Sequence, residues 1–404
     1  MKGIRVVDLT SVLSGPYCTW LLASMGADVI KVENPNGDSA RTTSPFCDDI
    51  SIYFASINRN KRSICLDLKS KEGKSALHAL LATADVLVEN MRPGVRNRLG
   101  CSDEDLKRIN PKLVRASITG FGQEGSLSDR PAYDIIVQAM SGMMSINGSA
   151  GGAATRVGFS IGDIAAALFT TIGIIERLYS RDAQNAPDLA PVDISMLACQ
   201  WACMENAYAR YFNAGIIAEP LGSRHPSLTP FEPYPTADYD IVIGIGGAKD
   251  WPRLCEALGR PDMAIDPRFV EDDERLKNRD ILNDILGSHL RTHSSEYWLS
   301  RLIEFQIPCS AVNNIETLAN SDLAQEYRAF SDVVTNTGSI QKYVRSPITL
   351  EGMIEKAAPE LGEHSEEILR ELGFTGSDIK ALSGTSKSNN NHEKSKITIN
   401  TAPA

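Results

Sequence analysis

Gly3-Ile4-Arg5-Val6-Val7-Asp8-Leu9, followed by Ser14-Gly15-Pro16 and a helical run to Met25, and then Ala27-Asp28-Val29-Ile30-Lys31-Val32-Glu33, open this chain of 404 residues. Two apolar stretches of strand length flank a stretch of helical length entered by a proline, so the segment reads as a βαβ unit. Such a crossover makes its strands parallel. Further strand candidates follow at Ser63–Leu68, Asp85–Glu89, Leu113–Thr119 and Ala190–Ser195. Helical stretches separate them at Lys71–Ala82, Asp103–Ile109, Tyr133–Ser141 and Asp163–Tyr179. The alternation predicts an α/β fold built on a parallel sheet. Neither a P-loop nor a G-x-G-x-x-G follows the first strand, so the sheet carries no dinucleotide fingerprint.

Beyond a helix at Met196–Ala214, Glu219–Tyr239 holds five prolines and reads as a linker, with a domain boundary near Pro220. A strand at Asp240–Gly246 and helices at Trp251–Leu258, Arg279–His289 and Ser295–Phe305 predict a smaller α+β domain. Ala311–Asn313 and Ile315–Ala319 lead back, and Ser365–Leu372 forms a terminal helix. The expected division is 1–219 for the first part of a large domain, 220–310 for the small domain with its linker, 311–383 for the return, and 384–404 for a polar, disordered tail.

A net charge of −10 argues against a broad electrostatic grip on nucleic acid or an anionic membrane. The eight cysteines form no CxxC pair, so no metal site is expected. No apolar run reaches the ~18 residues that cross a bilayer, and the start on Met1-Lys2 directly before a strand leads to the expectation of a cytoplasmic protein.

One carboxylate stands out. Asp163 enters the most apolar helix of the chain, where no charged residue appears from Ile164 to Ile175, so that helix is expected to be buried on most sides. A helix start favours a negative charge while apolar walls remove water, a setting that suits carboxylate attack. By local sequence alone, Asp163 reads first as a helix cap. Ile243-Gly244-Ile245-Gly246-Gly247 is either a tight turn or a loop that approaches a ligand.

These segments together resemble the family III CoA-transferases and their sister branch, the α-methylacyl-CoA racemases, from about Gly3 to Leu382. The resemblance rests on Val7-Asp8-Leu9-Thr10 with Ser14-Gly15-Pro16, Gly26–Glu33, Asn58-Arg59-Asn60-Lys61-Arg62-Ser63-Ile64 and Asp85–Asn90 before Arg92-Pro93-Gly94. It continues through Ile118–Gly122, Tyr133-Asp134 before Gln138–Gly142, Gly162-Asp163, Arg224-His225-Pro226 and Leu361-Gly362-Glu363-His364. It implies a Rossmann-like large domain with a parallel sheet plus the smaller α+β domain, in an interlocked-ring homodimer. Asp163 is then the nucleophile, and CoA passes between acids through an aspartyl-CoA thioester.

CoA thioesters enter as substrates, with no permanently bound cofactor, and the partners are an acyl-CoA donor and a carboxylic acid acceptor. The positions matching the family's CoA contacts are Leu13, Ser14, Asn34, Leu66, Asp67, Leu68, Lys69, Asn90, Met91, Arg92, Arg98, Pro131, Ala132, Tyr133 and Asp134. Phosphate contacts fall to Arg92, Arg98 or Arg130, because Asn34, Leu13 and Pro131 replace polar or basic residues of the formyl-CoA enzymes. The racemase branch has a histidine where this chain has Tyr133, which favours transfer over α-proton exchange. A racemase and a non-catalytic CoA-binding partner are the competing readings, and a short dicarboxylic acid is the expected substrate. His225, Glu232 and Asp134 read as structural or as acid–base groups.

Overall fold

A computed structural model describes residues 1–184, 189–247, 249–348, 350 and 352–384. Two compact units emerge. One gathers residues 1–141, 158–205 and the described residues from 328 onward; the other gathers residues 142–157 and 206–327. These limits differ from the expected ones, because the second unit starts before the proline-rich segment, ends later and takes in residues 142–157. The polar tail beyond residue 384 lies outside the described residues.

The first unit is built on six strands, β1 (Arg5–Asp8), β2 (Asp28–Glu33), β3 (Arg62–Cys65), β4 (Val86–Glu89), β5 (Val114–Thr119) and β6 (Val192–Ser195). All neighbours pair in parallel, in the order β3-β2-β1-β4-β5-β6. The order reverses between β1 and β4. At such a switch point adjacent loops leave in opposite directions and open a crevice at the carboxyl ends of the strands. Val6, Val29, Val86, Val114 and Val192 feed an apolar cluster on one side of the sheet, and Val7, Ile30, Ile64 and Leu87 feed another. That is the signature of a parallel sheet covered on both faces.

Six helices of this unit position the site: α1 (Ser14–Ser24), α2 (Ile52–Asn58), α3 (Lys71–Ala82), α4 (Asp134–Met140), α5 (Ile161–Gln184) and α6 (Met196–Cys203). The inner face of α5 carries Ala165, Ala166, Ala167, Ile174 and Leu178 against the core. Small residues let it lie close; a Cβ on Gly173 would come within 2.7 Å of Val192 Cγ1. The expectation that α5 is buried on most sides is corrected here. Leu168, Phe169, Ile172, Ile175 and Tyr179 are exposed, Ile172 by 63%. An uncharged helix reads as buried all round, whereas this one has a core face and a second apolar face that is open. The helix expected at Met196–Ala214 ends at Cys203 and restarts at Glu205, where the two units divide.

In the second unit, β7 (Phe231–Pro235) and β9 (Cys309–Ala311) flank β8 (Asp240–Gly244) in an antiparallel sheet. The strand β7 falls inside the segment read as a linker. Pro233 and Pro235 lack N–H donors, yet β7 is an edge strand and needs few. Helices α7 (Asp250–Ala257), α8 (Arg279–Leu290) and α9 (Ser295–Glu304) bury Trp251, Leu254, Leu286, Trp298 and Leu302 with Ile241 and Ile243.

The chain then returns to the first unit through a hairpin, β10 (Phe330–Val334) and β11 (Ile340–Val344), and continues into α10 (Ser365–Glu371) and a further helix, α11 (Gly376–Gly384). Leu361-Gly362-Glu363-His364 docks on β3. Gly362 N–H donates to Ser63 Oγ at 2.9 Å, and His364 N–H to the Ser63 carbonyl at 2.9 Å. Gly362 has φ +70°, and a Cβ there would meet Cys65 Cβ at 2.9 Å, so only glycine fits without a shift. Among the described residues no helix is long and apolar enough to cross a membrane, and no cluster of three potential metal ligands occurs.

Candidate active site

Asp163, in the first turn of α5, points to the start of α1. The hydroxyl and backbone N–H of Ser14, the first residue of α1, lie beside its carboxylate and favour its ionised form. Burial pushes the Asp163 carboxyl up from 3.8 to about 6, the Asp134 carboxylate adds to the rise, and the two Ser14 donors oppose it. The group is therefore ionised at neutral pH at a cost, with little water to lose before it reacts. Tyr53, on α2, shares this environment. Burial pushes its phenol up to about 12, helped by the charges of Asp163, Asp38 and Asp134.

Beneath Asp163 lies a polar layer. Gly162 N–H donates to Asp134 Oδ1 at 2.8 Å, Gln138 Nε2 donates to Asp134 Oδ2 at 2.7 Å, and Ser141 Oγ donates to Gln200 Oε1 at 2.7 Å. A Cβ on Gly162 would stand 2.3 Å from Gln200 Nε2 and 3.0 Å from Asp134 Oδ1. The Gly-Asp pair thus has a steric cause, because the glycine admits the Gln200 amide and the Asp134 carboxylate against the start of α5. Gln200 Nε2 itself is buried with no hydrogen-bond partner.

The turn between β1 and α1 rests on buried charge. Lys31 Nζ lies 2.8 Å from both the Thr10 carbonyl and Asp38 Oδ2, and Lys61 Nζ lies 3.0 Å from Asp8 Oδ2. All four side chains are buried. Burial would raise the Asp8 carboxyl, but Lys61, Lys31 and the hydroxyls of Thr10 and Thr19 together hold it well below the carboxylate range. Burial lowers Lys61 to about 8 despite Asp8.

The positions matched to CoA contacts follow the carboxyl ends of successive strands: Leu13 and Ser14 after β1, Asn34 after β2, Leu66 to Lys69 after β3, Asn90 to Arg92 after β4, and Arg130 to Asp134 after β5. Asn90 Nδ2 donates to the Ser11 carbonyl at 2.8 Å while Ser11 N–H donates to Asn90 Oδ1 at 2.9 Å, closing a reciprocal pair across the switch point. Arg92, Arg98 and Arg130 are exposed, as are Asn34, Lys69 and Pro131. Tyr133 is 75% exposed and so is no core aromatic.

Two positions differ from the expectation. The Leu66 side chain belongs to the apolar core, which leaves only its backbone for a ligand, and the Asp134 carboxylate faces inward to Gly162 and Gln138. In the second unit, Gly246 and Gly247 N–H groups donate to Asp250 Oδ2 at 3.3 and 2.8 Å. His225 Nδ1 accepts from the backbone of Ser227 and Leu228, and Glu232 is held by Arg224 and Asn283, which makes these residues local ties.

Sequence reading did not single out Tyr53, Gln200, or the roles of Asp8, Lys31, Asp38 and Lys61. Lys31 sits inside β2, where a lysine in an otherwise apolar parallel strand was the available signal, while Lys61 precedes β3 in a basic run that gives no such signal.

The fold is that of a doubly wound α/β protein with a polar cluster at the switch point of the sheet. The chain belongs to CoA-transferase family III, whose model matches residues 1–365. It is 39% identical to an acetyl-CoA:oxalate CoA-transferase of Acetobacter aceti over 79% of this chain and 82% of that protein. It is 35% identical to a succinyl-CoA:mesaconate CoA-transferase of Haloarcula hispanica, over 92% of this chain and 96% of that protein. Among solved structures, a CAIB/BAIF family protein from Brucella suis superposes with a TM-score of 0.80 at 30% identity, covering 92% of this chain and 98% of that one.

Proposed function

We propose that this enzyme transfers CoA between short, dicarboxylic acids with Asp163 as nucleophile. The observation that carries the reading is the Asp163 carboxylate, largely buried in the first turn of α5 and facing the start of α1 beside the switch point. Its oxygen attacks the thioester carbonyl carbon, the C–S bond breaks, and CoA leaves as thiolate. The thiolate then attacks Asp163 Cγ in the mixed anhydride, the donor acid departs as carboxylate, and CoA remains on Asp163 as a thioester. The acceptor acid reverses both steps. Exclusion of water protects the anhydride. Relatives named for oxalate, mesaconate and glutarate support a dicarboxylic substrate.

CoA lies along the carboxyl ends of β1 to β5, its phosphates met by Arg92, Arg98 or Arg130. No cofactor is permanently held. The enzyme works in the cytoplasm as a homodimer; the open apolar face of α5 supports a second copy as its cover, and the return of the chain to its first unit suits interlocked rings. The second unit serves as a separate small domain.

Incubation with acetyl-, succinyl- and formyl-CoA, followed by hydroxylamine trapping and peptide mass spectrometry, tests the reading. An adduct on the Asp163 peptide, absent from Asp163→Ala, is expected. Tight CoA binding with no adduct from any donor would move the assignment to a racemase or a non-catalytic partner.

A further inference from the structure

The turn that presents Ser14 is held in an unfavourable shape. Val12, a β-branched residue, has φ +69°, where such side chains are strained. The turn is also tight, since a Cβ on Gly15 would stand 2.3 Å from Thr10 Cβ. Something must hold each end. On the strand side, Lys31 Nζ donates to the Thr10 carbonyl at 2.8 Å, Asp38 Oδ1 accepts from Val12 N–H at 3.2 Å, and Asp8 Oδ1 accepts from Thr10 N–H at 2.9 Å. On the helix side, Lys61 Nζ donates to the Pro16 carbonyl and Asp8 Oδ2, each at 3.0 Å, and to Asn58 Oδ1 at 2.8 Å. Thr19 Oγ1, one turn into α1, donates to Asp8 Oδ2 at 2.6 Å.

Two cations and two carboxylates are removed from water here, a costly arrangement that well-packed apolar side chains often match for stability. The cluster holds the turn that sets Ser14 at the start of α1, and α1 packs against α5 beside Asp163. We propose that Lys31 and Lys61, with Asp38 and Asp8, are positioning residues that clamp both ends of the β1–α1 turn so that the Ser14 hydroxyl and N–H are set beside the Asp163 carboxylate. The inference deepens the proposed function and rests on Asp163 being the nucleophile.

Ser14 then has a catalytic part in the second step. As the CoA thiolate adds to Asp163 Cγ, a C–S bond forms and the carbonyl electron pair moves onto the free Asp163 oxygen. The Ser14 Oγ–H and N–H meet that charge. Collapse restores the carbonyl, the bond from Cγ to the bridging oxygen breaks, and the donor acid leaves as carboxylate with the electron pair. A loose turn would offer the same donors in scattered positions, and displacements of ~1 Å at such a site are expensive.

The test combines Ser14→Ala, Lys31→Met and their double variant in the full-length enzyme, read by steady-state kinetics and by infrared titration of the Asp163 carboxylate, assigned by subtracting Asp163→Asn. Ser14→Ala should lower kcat about 10- to 100-fold, less than losing a sole oxyanion donor because the N–H remains. Lys31→Met should lower kcat by a similar factor with KM for acyl-CoA nearly unchanged. The double variant should be little worse than the poorer single one, because Lys31 acts through Ser14. Both single variants should raise the carboxylate midpoint, since each weakens hydrogen bonds to the ionised form.

Should Lys31→Met fail to fold, Asp38→Asn loosens the same clamp while keeping the acceptor for Val12, and should show a smaller loss with the same midpoint shift. A folded Lys31 or Asp38 variant with the wild-type kcat and midpoint, or losses that multiply fully in the double variant, would overturn the clamp. Asp163→Ala separates the two readings: transfer persisting in it sinks the nucleophile, while the midpoint still reports whether the clamp acts through Ser14.

Discussion

Asp163 and Asp134 are each held by the start of a helix other than their own, and the contrast between them separates a reactive carboxylate from a scaffold one. Asp134 opens α4 and caps α5 through Gly162 N–H, with Gln138 on its other oxygen. Asp163 belongs to α5 and is held by the first residue of α1. Both use the free N–H groups of a helix terminus. Asp134 is buried and engaged on both oxygens, whereas Asp163 is only partly buried, and burial plus its neighbour's charge push its carboxyl to about 6. Similar helix-start donors therefore serve opposite ends. One carboxylate fixes the backbone on which the other stands, and the other keeps a charge that is poorly compensated and so available for attack.

Replacing Asp163 by Ala is the strongest way to break this comparison. Transfer should fall about 10⁴-fold or more with CoA binding retained, as measured by steady-state rates and by calorimetric titration of CoA. Removing the neighbouring charge comes next. Asp134→Asn should lower kcat by about tenfold, because a less basic Asp163 is a weaker nucleophile. It should also shift the acid limb of the pH–rate profile to lower pH; an unmoved limb would mean that the two carboxylates do not interact.

Gly162→Ala sharpens the role of the layer below. The added methyl group meets Gln200 Nε2, so the variant should lose about 1–3 kcal/mol in urea unfolding. The smallest effect is a gain. Asp163 binds a proton more tightly folded than unfolded, with a carboxyl at about 6 against 3.8, so its stability penalty is absent below about pH 4 and grows as pH rises through 6. Asp163→Asn should therefore be about 1–2 kcal/mol more stable than wild type at pH 7 and equal to it near pH 4, a difference that thermal melts at the two pH values would check.

The parallel sheet was legible because its strands are short apolar runs bounded by turn residues, and each of the six expected strands lies within two residues of its place at both ends, save β3, which ends three residues early. Tertiary context hid the rest. Pro233 and Pro235 disguise β7, since proline speaks against a strand unless the strand is known to be an edge. The open side of α5 was illegible because a face that awaits a partner and a face that meets the core have the same composition. In the site, Asp163 could be singled out from its apolar surroundings. The Lys61–Asp8 pair could not, because its partners stand 53 residues apart and meet only in the folded sheet, and the Lys31–Asp38 pair, though local, shows its meaning only once both groups are known to be buried. Asp134 was read as a ligand contact on position alone, and its inward turn follows from Gly162, 28 residues away.

The docking of Gly362 and His364 on β3 carries a consequence for synthesis on the ribosome. Gly362 covers Ser63 from 299 residues further along the chain. At the usual ~5–20 residues per second, roughly 15–60 s pass between the emergence of β3 and that of its cover. Through that interval β3 presents an edge with unpaired backbone groups, of the kind that recruits other strands. The nascent chain should therefore be most vulnerable to misassociation before Leu361 and the residues after it appear, and a truncation just before Leu361 should aggregate even though every strand of the large sheet is present.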